Sequence, residues 1–302
     1  MGTMSRLTLY GQVAEKAADL VVREYSTSFG MATRLLAPWC RVHVRNIYAL
    51  VRLADEVVDG ATEEAGGDVD AARRLLDRLE EDTDEAIATG YSTNVLVHAF
   101  AATAREAGFA TELTAPFFAS MRTDLHRTVH DAQSLADYVY GSAEVVGLMC
   151  LKVFLLEEPA AVRAARYTEL TPGARALGAA FQKVNFLRDL ADDADRLGRR
   201  YFPDIDPQHL TEAEKDEILC DINDDLRIAR AAIADLPAQA RRAVAVAAGL
   251  FGELSCRLAA TPAEQIIRTR VSVPTPVKLR VAARALRDRG TPAPHPTPTP
   301  VG

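Results

Sequence analysis

Cysteine, positive charge, long apolar runs and strand patterns are all scarce in this chain, and each shortage excludes a class. The four cysteines, Cys40, Cys150, Cys220 and Cys256, stand far apart with no metal or dithiol spacing. They read as small buried apolar side chains in a reducing compartment rather than as a disulfide framework. Lysine and arginine number 35 against 42 acids, a net charge of −7. With no basic cluster to offset that balance, nucleic acid is not the expected partner. No apolar run approaches the roughly 18 residues of a membrane span; Ala243 to Phe251 is typical of the longest. Met1 to Tyr10 lacks the apolar core of a signal peptide. The protein is therefore expected in the cytoplasm, with peripheral contact at the inner face of a membrane left open. No glycine-rich strand–turn–helix fingerprint for a nicotinamide cofactor is present, a weak sign that none is used.

Helical periodicity fills the space left by those absences. Apolar residues make up 48% of the chain, ample for a buried core, and no convincing alternating strand interrupts them. Residues 1–290 are expected to form one all-α domain, a bundle of about ten helices around a central cavity, with helices from Thr114 to Val129, Ser134 to Leu156 and Pro172 to Leu197 among them. The Pro-Thr-Pro repeat of 291–302 cannot build a core and is expected to be disordered.

The central stretch runs from Gln182 to Asp193 and holds Asn185, Arg188, Asp189 and Asp193. Residues four apart on a helix share a face, so Asn185, Asp189 and Asp193 stack in one column. Two carboxylates and a carboxamide oxygen suit a hard cation such as Mg²⁺, and Arg188 beside them could grip a phosphate bidentately. A second stripe, Tyr48, Arg52, Asp55 and Asp59, advances by four, three and four residues. Either stretch alone could be a solvated acidic face. Together, inside otherwise apolar helices, they point to a polyanion carried on divalent metal, because facing carboxylates repel without a cation between them.

Asp55-x-x-x-Asp59 with Asn185-x-x-Arg188-Asp189-x-x-x-Asp193 resembles the squalene/phytoene synthase family over about Tyr25 to Lys278. The resemblance implies an isoprenoid-synthase-like bundle and prenyl diphosphate substrates. Mg²⁺, for which Mn²⁺ could substitute, would lie on Asp55, Asp59, Asn185, Asp189 and Asp193. It marks Ser26 and Ser28, between Tyr25 and Phe29, as diphosphate contacts, although Ser and Thr at a helix start are also simple caps. It implies that Tyr138 to Leu148 lines the prenyl channel, that Arg199 to Pro203 folds over a diphosphate through Tyr201, and that Arg270 and Lys278 meet phosphate. Two departures stand out: Glu144 where many members have a second glycine, and Phe251 where relatives often have tyrosine. The catalytic set expected is thus Asp55, Asp59, Asp189, Asp193, Arg188 and Tyr201. The binding set is Tyr25, Ser26, Ser28, Phe29, Tyr48, Arg52, Tyr138, Gln182, Asn185, Arg188 and Arg270.

By resemblance to bacterial carotenoid-pathway members, the expected reaction joins two geranylgeranyl diphosphates to phytoene through a cyclopropyl intermediate, without NADPH. The absence of the C-terminal membrane helix of eukaryotic squalene synthases agrees with that expectation. Squalene or dehydrosqualene synthesis from farnesyl diphosphate is the alternative, and a helical scaffold without chemistry the non-enzyme one. His126 and His130, with Asp124 nearby, mimic half a zinc site but lack a third ligand and are expected to be ordinary surface or core histidines. Asp221 and Asp225 repeat the spacing without an arginine or a facing partner, and are expected to lie on a solvated face.

Overall fold

The computed structural model describes residues 5–190, 193 and 198–287. Among these the backbone is α-helical in fourteen segments, joined by loops and one π-helical turn. The 291–302 tail lies outside the described residues.

Two long helices carry the acidic stripes. α3 (Pro38–Val58) starts on a proline at its first position, where a missing N–H costs nothing. α10 (Ala160–Arg188) is the longest. Its expected bounds, Pro172 to Leu197, are corrected: the helix ends at Arg188 and runs straight through that proline. An interior proline costs about 3 kcal/mol, so packing must outweigh it here. Gly173 supplies that packing, because a Cβ there would collide with Ala232 of α11 (Glu212–Ile233).

α7 (Thr111–Thr123) also differs from expectation, which carried it to Val129. It ends at Thr123 because the following backbone is used elsewhere. Arg200 N–H donates to Thr128 O at 2.7 Å and His130 N–H to Arg200 O at 3.3 Å, an isolated parallel bridge. His126 is exposed and His130 buried, so the two never share a helix face.

The segment expected to be one helix from Ser134 to Leu156 is α8 (Ala132–Val139) and α9 (Val145–Phe154), joined by the π-turn Tyr140–Glu144. Its small residues are packing devices. A Cβ on Gly141 would strike Pro116 O and Ser120 Oγ, and one on Gly147 would lie 2.6 Å from Ala174 O. Gly141→Ala should therefore lower unfolding free energy by about 3 kcal/mol, the upper range for overpacking, measured by urea titration. A loss under about 0.5 kcal/mol, the level of a neutral surface change, would show that α7 moves aside freely.

The remaining helices close the bundle: α1 (Arg6–Tyr25), α2 (Thr27–Thr33), α5 (Val69–Thr89), α6 (Val95–Ala107), α12 (Ala238–Ala260) and α14 (Thr275–Arg287). The short segments α4 (Ala61–Glu64) and α13 (Ala263–Ile266) complete the order. α12 is long and apolar enough to cross a membrane by composition. Half of its most apolar window is buried, against α2, α10, α11 and α14. The cysteine expectation holds for Cys40, which is buried, but Cys220 and Cys256 are exposed on the outer faces of α11 and α12.

Candidate active site

One apolar cavity of about 320 Å³ lies inside the bundle, lined from α2, α3, the π-turn, α9, α10, α11 and α12. Its two longest walls lead to the two acidic motifs. On α3 the lining residues Val44, Tyr48 and Val51 continue at helical spacing into Asp55 and Asp59. On α10, Leu170, Ala174, Leu177, Phe181 and Gln182 lead into Asn185 and Asp189. The lined part of α10, Leu170 to Gln182, spans about 18 Å at 1.5 Å per residue.

Both helices end on their motif. Asp59 caps α3 and Asp189 caps α10, with almost the same backbone angles (φ −99°, ψ 13° and φ −103°, ψ 11°). Asp189 N–H still donates to Asn185 O, and Asp193 N–H to Asp189 O, each at 2.9 Å, so the column survives this break. Gly60, at φ +118°, lets the chain turn away from Asp59 where a side chain would be strained. A carboxylate at a helix C-terminus opposes the helix dipole, at about 0.3–1 kcal/mol each. Placing two there makes sense only beside positive charge.

Part of that charge is internal. Arg199 is buried at 6% exposure and spends its whole fork on this region. It donates to Asp59 Oδ1 at 2.8 Å, to Val58 O at 3.2 Å and to Asp124 O at 3.4 Å, and pairs with Asp124 Oδ1 at 3.5 Å. Its backbone N–H donates to Asp193 O at 3.1 Å, so one residue touches both motifs. On the other side Arg270 Nε donates to Asp189 Oδ1 at 2.8 Å, and Arg188 donates to the same carboxylate at 2.9 Å.

Among the described residues Asp55 and Asp193 have no arginine ion pair. Burial, then repulsion from Asp59, pushes Asp55 up to about 7. Burial, then repulsion from Asp189, does the same for Asp193, with Asp59 adding to it across the mouth. Asp124 also rises to about 7, through burial and despite Arg199. Among the described residues no three acids, histidines or cysteines stand in liganding geometry. The donor chemistry nevertheless fits a hard cation: all-oxygen groups, mutually repelling, at two helix C-termini. A raised carboxyl is neutral and least destabilising at low pH, and its cost appears as pH rises through its folded value. The stabilisation produced by added Mg²⁺ should therefore be larger at pH 8 than at pH 6, read as the shift in melting temperature. Equal shifts would disconnect these two acids from cation binding.

The other expected residues divide into three groups. Phe29, Tyr48 and Gln182 line the cavity, and the Phe29 ring stacks on Tyr48 at 4.7 Å. Arg52 pairs with Glu56 and lies 4.4 Å over the ring of Tyr25, which is otherwise exposed. Ser26 caps α2, accepting from Phe29 N–H at 3.2 Å. The Ser28 side chain lies outside the described residues. Tyr138 and Tyr201 sit behind the mouth, 5% and 4% exposed, in a cluster with His130 and Phe186. Tyr138 donates to Asp124 Oδ2 at 2.8 Å, and Tyr201 lies 3.4 Å from Arg199. The structure thus links both tyrosines to the acids through Asp124 and Arg199, neither of which was in the expected site set. Burial drives the Tyr138 and Tyr201 hydroxyls upward, so both stay protonated donors.

The two departures leave the cavity open. Glu144 turns outward to Arg175 while Ser142, Ala143, Val146 and Gly147 face inward. Ser142 Oγ is buried without a partner there, the one polar oxygen on that wall with free lone pairs among the described residues. Phe251 stacks on the lining residue Phe181 at 3.7 Å. The third acid pair is corrected in its surroundings. Asp221 and Asp225 are 2.6 Å and 2.8 Å from Lys183, and Asp225 is only 18% exposed rather than solvated. Asp221→Asn with Asp225→Asn should keep turnover near wild type while lowering stability by about 1–3 kcal/mol, because Lys183 loses its partners. A large activity loss with intact helicity would put these acids in the site.

The fold that positions this cavity is shared with solved structures. A dehydrosqualene synthase in complex with ligand superposes with a TM-score of 0.75 at 18% identity, covering 93% of this chain and 98% of that one. The squalene/phytoene synthase family model matches residues 22–276, and the chain belongs to that family. Among curated relatives, chloroplastic phytoene synthase 3 of Zea mays is 35% identical over 184 residues, 61% of this chain and 41% of the relative. The 15-cis-phytoene synthase of Paracoccus sp. is 32% identical over 191 residues, 60% of this chain and 57% of the relative. The chain thus spans about half the length of the curated relatives it matches.

Proposed function

We propose that this protein is a prenyltransferase that joins two geranylgeranyl diphosphates head to head to give phytoene and diphosphate, without a reductant. The observation that carries this reading is the continuity of each acidic stripe with an apolar cavity wall. A prenyl diphosphate has the same two-part chemistry, a polyanionic head on a long hydrocarbon. The curated phytoene synthases at 32–35% identity support the choice of product.

Asp55, Asp59, Asn185, Asp189 and Asp193 would hold Mg²⁺, which when bound supplies neutralisation of charge on the departing diphosphate. Arg52, Arg188 and Arg270 add hydrogen-bond donors at the mouth, the last two now committed to Asp189. Once a cation holds Asp189, both guanidiniums are free to turn to phosphate oxygens. Phe29, Tyr48 and Phe181 wall the region next to the mouth with aromatic faces, which favour positive charge and exclude water from an allylic cation.

Purified protein is incubated with labelled farnesyl and geranylgeranyl diphosphates and Mg²⁺, with and without NADPH, and the products are separated by chromatography. Phytoene formed equally under both conditions is expected. A thirty-carbon hydrocarbon as main product, or strict dependence on NADPH, would replace this reading with dehydrosqualene or squalene synthesis.

A further inference from the structure

The helix α14 (Thr275–Arg287) carries Lys278, Arg280, Arg284 and Arg287 and no acid, in a chain whose net charge is −7. Among the described residues none of these four cations has an ion-pair partner, whereas Arg188, Arg199 and Arg270 are all engaged. The inner face of α14 is already used: Val281, Ala282 and Ala285 pack on Met31, Ala32 and Leu35 near α2 and on Val246, Ala247 and Leu250 of α12. Contact there is close, since a Cβ on Gly249 would lie 2.9 Å from Val281.

Among the described residues nothing covers the opposite face in this way. Pro276, Leu279, Arg280, Ala283, Arg284 and Arg287 follow helical spacing along one side, and all are exposed. Leu279 is 59% exposed in the midst of the arginines. A cationic face around an outward leucine matches the interface of an anionic bilayer, where arginines meet headgroups and the leucine enters the acyl boundary. Nucleic acid would satisfy the arginines but offers that leucine nothing.

The position of α14 adds a reason. Ala32 and Ala247 both line the cavity and belong to the packing layer beneath α14. The helix therefore lies over the seam where α2 meets α12, with the apolar cavity on the inner side.

We propose that the outward face of α14 docks the protein on an anionic lipid bilayer, bringing the α2–α12 seam of the cavity to the membrane. The benefit of such docking rests on the proposed prenyl-transfer reading, because its substrates and product are lipids; the docking itself does not. The negative remainder of the protein would be repelled by the same surface, fixing this face downward.

The test is co-sedimentation of the full chain with vesicles of phosphatidylcholine alone and of phosphatidylcholine with phosphatidylglycerol, without substrate. Binding is expected only to the anionic vesicles and should weaken with added salt. Each arginine near such a surface strengthens binding about fivefold, so Arg280→Glu/Arg284→Glu/Arg287→Glu should weaken it by at least about 100-fold. Leu279→Asp should weaken it separately, with helicity checked by circular dichroism. Turnover of detergent-dispersed substrate should be unchanged in both variants, so failed docking and failed catalysis are read independently. Equal binding to both vesicle types, wild-type binding by the folded triple variant, or binding to duplex DNA in preference to vesicles would overturn the proposal. Should the triple variant not fold, the salt and lipid dependence of the wild type and the Leu279→Asp result decide it.

Discussion

Asp59→Asn and Asp189→Asn should each reduce prenyl transfer by a factor on the order of 10³ or more, the scale on which preorganised charge stabilises a transition state. Both variants should still fold. Asparagine keeps an oxygen for the Arg199 donor at position 59 and for the Arg270 and Arg188 donors at position 189. It also removes a negative charge from a helix C-terminus, which in the metal-free protein relieves repulsion on Asp55 or Asp193. The expected pattern is lost activity, an unchanged or slightly raised melting temperature without metal, and a much smaller rise on adding Mg²⁺. Retained turnover in either variant would sink the metal assignment. A variant that unfolds would show instead that these acids are needed as partners for their arginines.

The parts of this site legible in the sequence were those written locally. Tyr48 to Val58 and Gln182 to Arg188 each occupy one helix, with Asp59 and Asp189 as their caps, so period alone placed them on single faces. Tyr48 and Gln182 came to the cavity wall for the same reason, whereas Phe29 was marked by resemblance alone. Residues whose meaning depends on distant partners were not legible. Arg199 lies 75 residues from Asp124 and 140 from Asp59. By itself it looks like a basic residue near a helix end, and Asp124 looks like an accessory to His126 and His130. The available signal was Tyr201 two residues on, whose burial carries Arg199 inward with it. Helix limits failed where tertiary contacts overrode local rules. Pro172 suggested a start that Gly173 packing on Ala232 removes, and the Val129–Arg200 bridge withdraws residues that pattern alone would give to α7. Lys183 between Asp221 and Asp225 is a similar case, because a pair that spans α10 and α11 leaves no trace in either helix alone.

Arg199→Met is expected to have the largest effect on stability of any single change near the mouth. The side chain is 7% exposed and faces Asp59, Asp124 and two backbone carbonyls. Removing one partner of a buried charge pair typically costs about 3–5 kcal/mol, because the carboxylates left behind keep their desolvation without compensation. Asp124, already pushed up to about 7, would take a proton to escape that cost. The loss should therefore be worst at alkaline pH and milder at pH 6. Arg199→Lys keeps the charge but cannot reproduce the planar fork that reaches Asp59, Val58 O and Asp124 together, so it should fall between methionine and wild type. Added Mg²⁺ should restore more stability to Arg199→Met than to wild type, since a cation held by Asp59 takes over part of what the guanidinium did. A double-mutant cycle with Asp124→Asn separates this from lost packing. If the two residues act as a pair, the double variant is more stable than the sum of the single losses predicts. Additive losses, or an Arg199→Met variant within about 0.5 kcal/mol of wild type by urea titration, would mean that Arg199 does not hold the two acidic motifs together.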